Sequence, residues 1–204
     1  MVRNNNGGID INSPLFEGLY KKNTVLVSGL VVAPVVFSAN TLSKAIVIMF
    51  AFSIITLLTV MLSSLISRNI VYTIRIILYT LIASIVYVPV MSICLQIFPQ
   101  QVEQVGVMLP LLITNALIVS KTELRFFRRT KGKMLVDLIS FIIGFDIVVL
   151  IIGFLREVLG TGTLFGKMIG IPFTFPALVY PFGGFIFLGL LAAGFRKIQY
   201  FLAE

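Results

Sequence analysis

Apolar runs dominate this chain and come in two lengths. Val25 to Phe37 is interrupted by Gly29 and Pro34, and Val105 to Val119 is broken by Pro110. Neither can cross the ~30 Å of bilayer hydrocarbon as one continuous helix, which takes about 20 residues. Lys44 to Ile66, Ile70 to Phe98, Met134 to Leu155 and Phe175 to Phe195 are long enough; Pro89 is expected to kink the second of these. The order is short-broken, long, long, and then the same again. Two halves with three crossings each must have opposite orientations, which is the hydropathy pattern of an inverted repeat whose discontinuous helices meet near the midplane. The expected fold is therefore an all-α membrane protein with six transmembrane segments, an inverted repeat of three plus three, and broken half-helices at segments 1 and 4. Residues 1–23 form a polar cytoplasmic tail with a short surface helix from Pro14 to Tyr20. Residues 24–204 form a single membrane domain with halves at about 24–98 and 102–196. The residue identities of the halves barely match, so a competing reading takes the short runs as poorly delimited full spans.

Composition narrows the function. Of 204 residues 58% are hydrophobic and only 12% are charged, against roughly 25% charged in soluble domains. That deficit excludes a soluble enzyme, a disordered regulator and a secreted disulfide scaffold. The chain has no histidine and one cysteine, Cys94. It cannot build a conventional zinc, haem or iron–sulfur site, nor a Ser/His or Cys/His catalytic arrangement, from its own side chains. It is expected to be embedded in the bilayer and non-catalytic on its own. The net charge of +8 sits between apolar runs, where basic residues fix topology, so no nucleic-acid partner is expected.

With the N-terminus inside, the cytoplasmic segments carry Arg3, Lys21, Lys22, Arg68, Arg75, Lys121, Arg125, Arg128, Arg129, Lys131, Lys133, Arg196 and Lys197. The outer segments carry Lys44, Arg156 and Lys167. Thirteen against three predicts six crossings with both termini cytoplasmic. A rival reading takes the start as a signal peptide cleaved after Ser38-Ala39, but its charged region would be unusually long.

Charged groups inside apolar spans are costly and point to function. Asp146, between Phe145 and Ile147, is a candidate ion or proton relay group. It could equally be a carboxyl buried against a neighbouring subunit, or held neutral by its apolar surroundings. Arg156-Glu157 is placed at the outer boundary of the fifth span, either as a helix-end anchor or, through Glu157, as part of an ion path. Asn115, beside the break in the fourth segment, is a third ion-path candidate. Arg75 is expected to snorkel to the headgroups, and the basic cluster from Lys121 to Lys133 to contact anionic lipid. Gly160-Thr161-Gly162 lacks the lysine and strand context of a phosphate loop. Gly183, Gly184, Gly189, Ala192, Ala193 and Gly194 mark the sixth span for close helix packing.

Several of these residues fall in motifs. Asn23-Thr24-Val25-Leu26-Val27 followed by Ala33-Pro34, Leu109-Pro110-Leu111-Leu112-Ile113-Thr114-Asn115-Ala116, and Asp137, Gly144 and Gly153 are three of them. The most specific is Leu155-Arg156-Glu157-Val158-Leu159-Gly160-Thr161-Gly162-Thr163-Leu164-Phe165. Together they resemble the integral-membrane subunit family shared by Rnf electron-transport complexes and Na⁺-translocating NADH:quinone oxidoreductases. The likeness is greatest to the E-type subunit of Rnf, the D-type of the quinone reductase.

That resemblance implies a non-catalytic subunit of a redox-driven translocase in the bacterial or archaeal cytoplasmic (inner) membrane. It implies a sister membrane subunit of opposite topology, and flavin- and ferredoxin-type partners that carry the flavins and iron–sulfur clusters. In the family, one cysteine in each half-helix holds a cluster shared with the sister subunit. The corresponding positions here are Ala33 and Ala116, and a methyl group cannot replace a thiolate on iron. No cofactor is therefore expected in this chain, whose role would be scaffold or part of the ion or electron path. The alternative is a membrane component of a transporter-type assembly without a redox role.

Overall fold

The computed structural model describes residues 23, 25–27, 29, 31–67, 69–112 and 131–201. Asn115, Ala116, the surface helix at Pro14–Tyr20 and most of the basic cluster lie outside them. Among the described residues are six α-helices: α1 (Val32–Ser38), α2 (Leu42–Ser63), α3 (Tyr72–Ile97), α4 (Pro99–Val105), α5 (Lys131–Thr161) and α6 (Pro181–Phe201). A two-stranded hairpin, β1 (Thr163–Leu164) with β2 (Lys167–Met168), follows α5.

Four of the helices, α2, α3, α5 and α6, are long and apolar enough to cross a membrane. At 1.5 Å per residue even α6, with 21 residues, reaches roughly 30 Å. The protein is a multi-pass helical membrane protein. Its hydrogen-bonding logic is that of the bilayer, where each backbone N–H and C=O must find a partner inside the protein.

The centre is the α2–α5 pair, with α3 packed on the other side of α2. Phe52 stacks on Phe145 at 3.7 Å between ring centres. Gly153 lets the backbones close: a Cβ built there would lie 2.5 Å from the Ala45 Cβ. These two contacts pair rising numbers on α2 with falling numbers on α5, so the helices run antiparallel. Outward faces of α3 and α6 stay apolar and exposed, as at Leu81, Ile85, Ile186 and Leu190. In water such surface would aggregate, whereas in lipid it is the normal exterior.

The two short segments differ from the long ones. Residues 25–27 form a turn, Gly29 (φ 63°) and Val31 (φ 60°) take left-handed backbone angles, and α1 then runs for only seven residues. Pro34 sits in the first turn of α1, where its missing N–H is harmless. In the fourth segment α4 passes into 3₁₀ turns at Gly106–Met108 and Pro110–Leu112. The first of these turns packs against α1.

Two boundaries need correcting. The fifth span does not end at Leu155: α5 continues to Thr161 and carries Arg156 and Glu157 inside its last turns. The sixth helix starts at Pro181, because Pro176–Leu178 forms a separate 3₁₀ turn. The small residues of α6 also divide. Gly183 and Gly184 are buried in close contacts, whereas Gly189, Ala192 and Ala193 line an open cleft of about 550 Å³ between α6 and residues 25–32.

Candidate functional site

Polar groups gather at three levels along α5. At its C-terminal end Arg156 is fully buried, and its guanidinium is spread over four carbonyls. Nη1 donates to Val36 O (2.7 Å) and Ala39 O (3.1 Å), Nε to Leu178 O (2.9 Å), and Nη2 to Val179 O (3.1 Å). Val36 and Ala39 end α1, while Leu178 and Val179 end the 3₁₀ turn before α6. Carbonyls at a helix C-terminus have no intrahelical partner and carry the negative end of the dipole. One cation therefore closes two chain ends that lie about 140 residues apart in sequence.

Glu157 makes the complementary arrangement. Its Oε2 accepts the N–H of Leu42 at the start of α2 (2.7 Å) and its Oε1 the N–H of Gly166 (3.1 Å). An acidic group at a helix N-terminus is favoured for the converse reason. Gly166 (φ 76°) and Phe165 (φ 51°) form the tight turn of the hairpin, which needs left-handed angles at both positions. Gly160 packs under Val179, and a Cβ at Gly184 would press within 2.9 Å of Arg156 Nη2. The Leu155–Phe165 motif is thus a structural lock that joins the ends of several segments. Both carboxylate oxygens of Glu157 are engaged by backbone. Ser38 and Ala39, the rival cleavage site, are buried in the packed end of α1.

At the middle of α5, the buried Asn23 side chain donates to Gly144 O (2.9 Å) and accepts from the N–H groups of Val25 (3.0 Å) and Leu26 (3.2 Å). Gly144 and Arg156 are twelve residues apart, about 18 Å along a helix axis. Asn23 therefore lies level with the centre of α5 and Ala39 at its far end, a separation of roughly half a crossing. Asn23 satisfies irregular backbone at that depth. Replacing Asn23 with alanine removes all three bonds and is expected to destabilise the protein by about 2–3 kcal/mol. The check is the denaturant midpoint of the purified protein in mixed micelles.

Asp146 stands two residues from Gly144 on another face of α5. It is half-buried, its Oδ2 accepts from Ser53 Oγ of α2 (2.8 Å), and its Oδ1 is buried with no partner. Ser53 escaped the sequence reading because a serine in an apolar run is unremarkable until its partner across the helix pair is known. Ala33 is exposed on α1 and presents only a methyl group. The thiol of Cys94 is buried in α3, and no group of three His, Cys, Asp or Glu side chains capable of holding a metal occurs among the described residues. The residues present do not fit a thiolate-held cluster.

These features define a class: a multi-pass helical membrane protein with an interrupted first segment, a carboxylate inside the helix pair and a buried Arg-Glu lock at one end. A family model described as Rnf-Nqr subunit, membrane protein, matches residues 11–201, and the chain belongs to that family. Among its relatives, the E subunit of the ion-translocating oxidoreductase complex of Sodalis glossinidius is 33% identical over 152 residues, covering 74% of this chain and 65% of that protein. The E subunit of the same complex in Escherichia fergusonii is 31% identical over 205 residues, covering 91% and 87%, respectively. That of Yersinia pestis (strain Pestoides F) is 29% identical over 196 residues, covering 88% and 84%.

Proposed function

We propose that this chain is the E-type membrane subunit of an Rnf-like ion-translocating electron-transport complex, acting as scaffold and as part of the ion or electron path without iron ligands of its own. Family membership over residues 11–201, with relatives named as E subunits, carries the reading. The lock built from the Leu155–Phe165 motif supports it, because the most specific part of the resemblance also ties the end of α1, the start of α2 and the turn before α6 together. Flavin- and ferredoxin-type subunits are the proposed partners in the cytoplasmic membrane, with a sister membrane subunit of opposite orientation.

A six-segment inverted repeat with cytoplasmic termini is the proposed topology. Support comes from the half-crossing between Asn23 and Ala39 and from the packing of α1 against the 3₁₀ turn that opens the second interrupted segment. Asn115 belongs to that second segment and remains a proposed ion-path residue. With alanine at both cluster positions, any electron transfer through this layer is proposed to rely on groups held by partners.

Affinity purification of the tagged chain from its native membrane tests the reading. A co-purifying flavoprotein and a ferredoxin-type subunit are expected. A transporter ATPase in their place would establish the non-redox alternative. Iron analysis with electron paramagnetic resonance on the same material should give no [2Fe–2S] signal assignable to the membrane subunits.

A further inference from the structure

The α2–α5 interface holds a row of oxygen atoms that the lock does not use. Thr56, Thr59 and Ser63 of α2 are fully buried, and among the described residues none of their hydroxyls has a hydrogen-bond partner. This is not the habit of the protein. On α3, Thr80, Ser84 and Ser92 each bond back to a carbonyl one turn earlier. A buried hydroxyl without a partner costs about 1–3 kcal/mol, and three on one helix is a concentration that packing alone does not account for.

Their positions form a line. At 100° per residue Thr56, Thr59 and Ser63 fall within about 60° of one another around the helix, with Ser53 one step beyond on the same side. Ala45 and Phe52, which touch α5, lie on this side of α2 as well. Ser53 already donates to Asp146 Oδ2, and Asp146 Oδ1 is the next unpartnered oxygen. The row thus runs from mid-helix to the C-terminal end of α2, ten residues or about 15 Å. The buried Asp137 and Ser140 of α5 lie in the same half of the interface and have partners of their own.

The chemistry selects the cargo. Hydroxyls strung along a helix cannot converge on one metal ion, which requires several oxygens around a single centre. Each hydroxyl can both donate and accept, which is what a proton relay through single waters requires. We propose that Ser63, Thr59, Thr56 and Ser53 form a hydrated proton path from the Ser63 end of α2 to Asp146. A hydronium ion at that end gives up one proton, each hydroxyl or water takes one and passes one on, and the carboxylate of Asp146 becomes a carboxylic acid. Every hydroxyl is restored when it turns back. This deepens the ion-path role proposed above and rests on it for its purpose, but not for its test.

The test uses the full chain in membrane vesicles with Cys94→Ser as background. Thr56→Cys and Thr59→Cys are compared with Leu58→Cys, whose side chain is exposed on the outside of the same helix. Silver ion, small enough for a single file of water, is applied to either face, and unreacted thiols are counted with a maleimide after denaturation. Thr56→Cys and Thr59→Cys are expected to react about tenfold faster than Leu58→Cys from the face where α2 ends at Ser63, because a hydrated thiol ionises and one in lipid does not. Adding Thr56→Val to Asp146→Cys should slow silver capture at position 146 by a similar factor. Equal rates at 56, 58 and 59, or no effect of the valine, would overturn the path. Membership in a redox complex is decided separately by the co-purified flavoprotein.

Discussion

Arg156→Leu is expected to destabilise the protein by about 3–5 kcal/mol, the largest effect of any single substitution considered, because it strands four carbonyls at once, those of Val36 and Ala39 in buried bonds and those of Leu178 and Val179 in part-buried ones. The leucine fills part of the volume but offers no donor to Val36, Ala39, Leu178 or Val179. Lysine keeps the charge yet fails for a different reason. Its ammonium is a single point with three donors, whereas the carbonyls are reached by Nε, Nη1 and Nη2 in the fixed fork of a guanidinium. Arg156→Lys should therefore recover less than half of the loss. Denaturant titration in mixed micelles gives the order wild type, Arg156→Lys, Arg156→Leu. A leucine variant as stable as the wild type would mean that the four carbonyls find other partners and that the lock is dispensable.

Gly183→Ala should have the second largest effect, about 3 kcal/mol, through sterics alone. The added Cβ would overlap the carbonyl oxygen of Ala177 and crowd Leu178 N at 3.1 Å. Those are backbone atoms, which cannot swing aside as the end of a side chain does, so overpacking is felt in full. Relief by shifting residues 176–179 would draw Leu178 and Val179 away from Arg156. A Cβ at Gly189 on the same helix would meet nothing within 4 Å. Gly189→Ala is accordingly expected to be neutral or to gain up to about 1 kcal/mol of helix propensity. Opposite signs at two glycines six residues apart would separate packing from propensity. A Gly183→Ala protein with an unchanged midpoint would show that the 3₁₀ turn yields freely.

The long spans were legible because bilayer hydrocarbon imposes one requirement, an unbroken apolar run of sufficient length, and α2, α3, α5 and α6 meet it. The interruption at Gly29 was legible for the same reason in reverse, whereas Pro34, expected as a second break, lies within the first turn of α1. Arg156 and Glu157 misled the sequence reading about where the fifth helix stops. Charge in an apolar span normally marks the edge of the membrane, but these two side chains are matched by carbonyls and amides from other segments, those of α1 and α2 more than a hundred residues away. Such matching is a tertiary fact, and hydropathy carries no trace of it. Asp146 was visible as a lone carboxylate between apolar neighbours. Its Ser53 partner and the row of hydroxyls beyond it were hidden, since threonine and serine cost an apolar helix little and signal only when their surroundings are known. Asn23 entered through a family motif; that it reaches Gly144 halfway along α5 could not be read from spacing.

The two-residue lock also constrains how the protein is made. Val36 and Ala39 emerge from the ribosome more than a hundred residues before Arg156, and Leu178 and Val179 some twenty residues after it. Until the last of these is synthesised, the end of α1 and the fifth helix hold only a partial set of bonds, with a guanidinium half-engaged inside the nascent bundle. Insertion into the bilayer can proceed helix by helix, but closure of the lock waits for the 3₁₀ turn that precedes α6. A ribosome stalled before Leu178 would thus leave an intermediate that protease should open at the junction of α1 and α2, and one released beyond α6 a product that resists it.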